Sequence, residues 1–118
     1  MPDLRPPIPE IAELFRLDGC TAVVTGGASG IGRGAAHALG QAGADVVVVD
    51  LDAELAAKTA QEIGATSAGL DVTDEEGVKE LFGDLARCDV LVTCAGRSLR
   101  APSLETSMED WQAVVDVN

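Results

Sequence analysis

Short apolar runs alternate with amphipathic stretches along most of this 118-residue chain. Cys20–Thr25 is a short apolar run. After it, Ile31, Ala35, Ala38, Leu39 and Ala42 recur at helical spacing, and Gly43 marks the stop. Val46–Val49 is a continuous β-branched run, the pattern of a strand buried on both faces. Leu51 to Ile63 reads as a helix with Leu55, Thr59 and Ile63 on its inner stripe and Gly64 as its end. Ser67–Leu70 is a shorter, less apolar strand. Thr73-Asp74-Glu75-Glu76 has the form of a capping box with Thr73 as the cap, opening a helix that carries Val78, Leu81, Phe82 and Leu85. Val90–Thr93 is a fourth strand, and Ser107 opens a last helix bearing Trp111, Val114 and Val115.

Strand and helix alternate four times, which predicts an α/β fold: a doubly wound parallel sheet with right-handed crossovers. The predicted strand order is 3-2-1-4, with a ligand crevice beyond the carboxyl ends of the strands where the order reverses. Four of the five prolines fall in the first ten residues, so residues 1–16 are expected to form an arm and residues 17–118 the domain.

Only three aromatics are present, Phe15, Phe82 and Trp111, so the core must be made of aliphatic side chains. A formal charge of −12 argues against a nucleic-acid partner, which needs a basic face, and disfavours an anionic membrane surface. Cys20, Cys88 and Cys94 show no paired spacing; with His37 as the sole histidine they make no recognisable zinc site, and no metal is expected. Buried free thiols, with no membrane-length apolar run and no leader-like amino terminus, point to the cytoplasm.

The candidate chemistry sits at the strand ends. Thr25-Gly-Gly-Ala-Ser-Gly-Ile-Gly32 joins a strand to a helix. Glycines there allow a tight turn and leave no Cβ against a ligand, and the helix start directs free N–H groups at an anion. A G-x-G-x-x-G reading can be laid on Gly30-Ile31-Gly32-Arg33-Gly34-Ala35, or a wider spacing can be read through Gly26, Gly30 and Gly32. Asp50 ends the second strand and can accept both hydroxyls of an adenosine ribose; the alternative is a turn or cap, a task Asp52 can perform. Asp71, with Val72 after it, is read at the end of the third strand, facing an adenine ring. The alternative is a helix cap, which Thr73 supplies.

Together with Cys94-Ala95-Gly96 and Val117-Asn118, these motifs resemble the short-chain dehydrogenase/reductase family from about Leu17 to Asn118. The resemblance implies a Rossmann fold, a nicotinamide cofactor, and hydride transfer to or from a carbonyl or alcohol carbon of a small molecule. Gly26, Gly30 and Gly32 would line the diphosphate, with Ser29 and Ile31 between them. Asp50 would meet the adenosine ribose with Leu51 beside it at the cofactor, Asp71 and Val72 would meet the adenine, and Cys94, Ala95 and Gly96 would lie against the cofactor. Asn118 would support the proton relay, and the last helix would join a homo-oligomer. NAD is the expected cofactor, since Asp50 repels a 2′-phosphate and no basic residue adjoins Asp50 or Gly30 in sequence. A branched side chain at Gly32 is expected to obstruct the diphosphate while sparing the fold.

Two departures stand out. The family pattern has Asn where Cys94 stands, so that side chain's amide bonds are missing. The chain contains no tyrosine, so the family's Tyr and Lys pair cannot be assigned to it. It ends within a helical stretch and is expected to be the amino-terminal part of a dehydrogenase, inactive alone. The rival is a non-catalytic dinucleotide-binding module or regulatory subunit. An S-adenosylmethionine-dependent methyltransferase would carry an acid just before the first glycine, where this chain has Thr25.

Overall fold

The computed structural model describes residues 10–118, so the proline-rich part of the expected arm lies outside the described residues. A one-turn helix, α1 (Ile11–Leu14), precedes the alternating elements. These are β1 (Thr21–Thr25), α2 (Gly30–Gln41), β2 (Asp45–Asp50), α3 (Ala53–Ile63), β3 (Thr66–Gly69), α4 (Glu75–Gly83), β4 (Val90–Thr93) and α5 (Met108–Val117). All strand pairs are parallel, and the sheet order is β3-β2-β1-β4, as the alternation predicts.

The period of two along each strand sorts the core onto two faces. Ala22, Val24, Val46 and Val48 point to one face, where they pack with Ala28, Ala36, Ala56 and Ala60 under α2 and α3. Val23, Val47 and Val49 point to the other, against Leu81 and Phe82 of α4. The alanine-lined face brings its helices close; the opposite face is filled by larger side chains. Val23, Val24, Val48 and Val49 are fully buried, each stabilising the fold by about 1.5–3 kcal/mol. β4 is an edge strand, and Leu91, Trp111 and Val115 are each half-exposed.

Several boundaries and burial expectations are corrected. The inner stripe of α3 is Ala56, Thr59 and Ala60, while Leu55 is 39% exposed. The alanines, not the leucine, fit the narrow gap to the sheet. β3 runs from Thr66 to Gly69, one residue earlier than read, because its register pairs Val47 with Thr66 and Asp50 with Gly69. Leu70 then leaves the ladder, donating its N–H to the Asp50 carbonyl at 2.9 Å and joining the α4-side core. Asp71 therefore lies two residues past the strand rather than at its end. The cap of α4 is Asp74, which accepts from Gly77 N, and not Thr73. Thr73 is drawn away by Asp71. Cys88 is exposed and Cys20 and Cys94 are half-buried, so the thiols are not the buried set expected.

Candidate functional site

The site is built where the strands end. Gly26 leaves β1 with φ +65°, and a Cβ there would lie 2.5 Å from the Ala95 amide nitrogen. Both facts exclude any larger residue. Gly32, in the first turn of α2, packs directly on that turn. A Cβ on it would collide with the Gly26 carbonyl oxygen and come within 3.1 Å of Cys94 Cβ. Gly30 has φ +52° and faces open space. A Cβ on Gly34 would touch nothing. The wider spacing through Gly26, Gly30 and Gly32 is thus the one the backbone requires. A Cβ on Gly32 would meet backbone, which corrects the expectation that a branched side chain there would spare the fold.

The turn is tied to its neighbours through backbone groups. Gly27 N–H donates to the Val49 carbonyl at 3.0 Å. Ala28 N–H donates to Asp50 Oδ2 at 3.1 Å, and the Ala28 carbonyl accepts from the buried Thr59 hydroxyl at 3.3 Å. Asp50 Oδ1 accepts from Asp52 N–H at 3.2 Å. Asp52 does cap α3, accepting from Leu55 N at 3.0 Å, yet Asp50 is not left free as expected. It braces the glycine turn and keeps lone pairs for two further donors. The Thr59 contact went unread in the sequence, where Thr59 figured only as a core position.

Among the described residues, the N-termini of α3, α4 and α5 are capped by the side chains of Asp52, Asp74 and Ser107. The N-terminus of α2 has no side-chain cap and no acidic residue in its first turn. Its N–H groups and positive dipole end therefore face the crevice uncompensated.

Asp71 Oδ1 accepts from both the amide and the hydroxyl of Thr73, at 2.9 and 2.7 Å. The amide bond first, then the hydroxyl bond, hold the Asp71 carboxyl below its ordinary value. The turn they form is complete above the unfolded carboxyl pKa and is lost as pH falls through the lowered, folded one. Thr73→Val deletes one donor and keeps the other. The expected result is an upward move of the Asp71 pKa, read by NMR titration of its side-chain carbon; an unmoved value would mean the hydroxyl does not bear on the carboxylate.

Beyond β4, Cys94 N–H donates to the Thr25 carbonyl at 2.9 Å. Asn118 grips the Arg97 peptide from both sides: its Oδ1 accepts from Arg97 N–H at 2.8 Å and its Nδ2 donates to the Arg97 carbonyl at 3.0 Å. The segment after Gly96 is thereby pinned to the end of α5.

One crevice of about 680 Å³ joins the glycine turn to the segments beyond β2, β3 and β4. Gly26, Ser29, Gly30, Ile31 and Gly32 line it from the turn, Asp50 and Leu51 from β2, and Asp71 and Val72 from beyond β3. Cys94, Ala95 and Gly96 line it from beyond β4. Leu70, Arg97 and Val117 line it too. Of these, Leu70 and Arg97 were not read as site residues in the sequence, and Val117 entered only through the Val117-Asn118 pair of the family resemblance. Asn118 lines instead an adjoining cavity of about 320 Å³, with Thr25, Thr93 and apolar side chains around it. His37 is half-buried, with Nε2 3.2 Å from Glu62 Oε2. Glu62 also accepts from Arg33 Nη2 at 2.5 Å. These contacts, the Arg33 bond foremost, lower its carboxyl pKa. Among the described residues no three His, Cys, Asp or Glu are grouped to hold a metal ion, and no helix is long and apolar enough to cross a membrane.

A parallel sheet in the order 3-2-1-4 with a glycine turn at its reversal point is a Rossmann-type architecture. Residues 20–118 match the short chain dehydrogenase family, and the chain belongs to it. It is 38% identical over 113 residues to the D-threitol dehydrogenase of Mycolicibacterium smegmatis, covering 88% of this chain and 44% of that protein. Among solved structures, it superposes with TM-score 0.80 on a putative NAD(P) dependent gluconate 5-dehydrogenase from Beutenbergia cavernae with bound NADP. There the identity is 40%, over 87% of this chain and 44% of the other. A 7 alpha-hydroxysteroid dehydrogenase complexed with NADH and a bile-acid ligand gives TM-score 0.83 at 32% identity, over 91% of this chain and 45% of the other. The chain thus spans less than half the length of these relatives, and between them they hold both nicotinamide dinucleotides.

Proposed function

We propose that this chain supplies the dinucleotide-binding half of an NAD-dependent oxidoreductase that moves a hydride between nicotinamide and a secondary alcohol or ketone. The observation that carries the reading is the crevice itself. An uncapped helix start and an open glycine turn lie beside a carboxylate fixed by two backbone N–H groups. The donor set fits a dinucleotide. The first turn of α2 would receive the diphosphate, Asp50 would accept from the ribose hydroxyls, and Asp71 and Val72 would flank the adenine. Cys94, Ala95 and Gly96 would lie along the nicotinamide half. When bound, the cofactor would supply the hydride carrier, which no amino-acid side chain provides. Asn118, by holding the Arg97 peptide, would position the wall of the crevice nearest that chemistry. The family's acid/base tyrosine has no counterpart among these 118 residues, so the proposed turnover takes that group from outside them. Cytoplasmic location and homo-oligomerisation belong to the same proposal.

The test is turnover. The protein as expressed from its own gene is mixed with NAD and a panel of secondary alcohols, and NADH absorbance is followed. Growth of the signal on at least one alcohol is the expected result, with residues 1–118 alone giving none. Tight NAD binding without turnover on any alcohol or ketone would favour the rival reading, a binding module without chemistry.

A further inference from the structure

We propose that Glu62 helps set the choice between the two nicotinamide dinucleotides by keeping the Arg33 guanidinium away from the adenosine 2′ position. This rests on the cofactor reading above and adds to it a residue outside the crevice.

A second depression of about 380 Å³ adjoins the first and shares Ser29 and Gly30 with it. Its wall also includes Ala28, whose N–H is held by Asp50. The proposed ribose partner and this depression are therefore separated by one residue of the glycine turn. Two cations line it, Arg33 from α2 and Lys58 from α3. Proximity in the fold thus supplies the basic groups that sequence adjacency to Asp50 and Gly30 did not reveal. Glu62 lines it as well, so a 2′-phosphate beside Asp50 would lie next to a wall that holds two cations and one carboxylate.

Arg33 is already engaged. Its Nη2 donates to Glu62 Oε2 at 2.5 Å, and His37 reaches the same oxygen. The pair bridges α2 to α3, and both side chains are only partly exposed. A guanidinium committed to a carboxylate offers an incoming phosphate little net charge, and that carboxylate itself repels the dianion. Glu62 therefore acts with Asp50: one meets the 2′ position directly, and the other occupies the arginine that would welcome a phosphate there. Removing the Glu62 charge while keeping its shape frees Arg33 to turn toward Ser29, one helical turn back.

The experiment compares NAD and NADP binding by calorimetry in the protein as expressed from its gene. It uses Glu62→Gln, the double variant Arg33→Ala with Glu62→Gln, and Glu109→Gln on α5 as a remote charge control. Glu62→Gln should bind NADP at least about tenfold more tightly than the parent, the size of one charge-assisted hydrogen bond. NAD affinity should change by less than about threefold, since a neutral 2′-hydroxyl gains little from a freed guanidinium. The double variant should lose the gain, and Glu109→Gln should show none. The inference is overturned if Glu62→Gln keeps NAD affinity without gaining NADP. It is equally overturned if the gain survives loss of Arg33 or appears in Glu109→Gln. A parent protein that binds neither dinucleotide would overturn the cofactor reading itself.

Discussion

Gly32→Val is expected to lower stability by about 3 kcal/mol, near the upper end of ordinary overpacking, and to abolish dinucleotide binding with it. The reason lies in the backbone. The added Cβ would run into the Gly26 carbonyl, with the Gly26 carbonyl carbon only 2.7 Å away. Neither group is the flexible end of a side chain. To make room, α2 must lift from the turn, which would part Gly32 from Cys94 and disturb Ala36 in the buried α2–α3 face. Gly34→Val is the matched control: it lies two residues on in the same helix, where a Cβ meets nothing. Its thermal midpoint should stay close to the parent's. Thermal unfolding beside calorimetric binding separates the cases. A Gly32→Val protein with an unchanged midpoint and lost binding would assign Gly32 to the ligand wall instead of to packing.

The second large effect concerns cofactor choice. If the crevice holds the adenosine as proposed, a 2′-phosphate would stand near the Asp50 carboxylate. Two unit charges about 4 Å apart repel by about 4 kcal/mol at an effective dielectric of about 20. Preference for NAD over NADP should therefore be at least about 100-fold, a factor of ten for each 1.4 kcal/mol, with allowance for solvent screening. Asp50→Asn should collapse that ratio chiefly by relieving the repulsion of NADP, with a smaller weakening of NAD because the amide offers fewer acceptor lone pairs to the ribose and to Ala28 N–H. Binding constants for both dinucleotides, in parent and variant, decide it. Equal affinities in the parent would remove Asp50 from the ribose.

The strands and their order were legible because β-branched runs such as Val46–Val49 have no competing helical reading at that length. Twelve of the fifteen crevice residues were legible, because the glycine turn and the strand ends meet in this topology and the family resemblance extended the reading to the residues beside them. What escaped was non-local or near-degenerate. Thr73 and Asp74 are both competent caps, and only the pull of Asp71 on Thr73 decides between them. Ala56 and Ala60 outdo Leu55 as the buried stripe of α3 because a small side chain suits the gap, a property hydropathy does not record. The brace from Asp50 to Ala28 joins residues 22 apart, and the Arg33–Glu62 pair residues 29 apart. Neither separation leaves a periodic trace. That a side chain at Gly32 would strike backbone was not legible because its neighbour in space is Gly26, six positions earlier and across a turn.

Ala28 is held at both ends of its own residue, its N–H by Asp50 from β2 and its carbonyl by Thr59 from α3. Glycine-rich loops are commonly paired with conformational freedom, but here the loop is clamped between sheet and helix before any ligand arrives. A ligand received by this turn would find it preorganised, with little ordering entropy left to surrender on binding. Thr59 thus connects the interior of the domain to the shape of its opening, so a packing change beneath α3 would be felt as a change in ligand affinity.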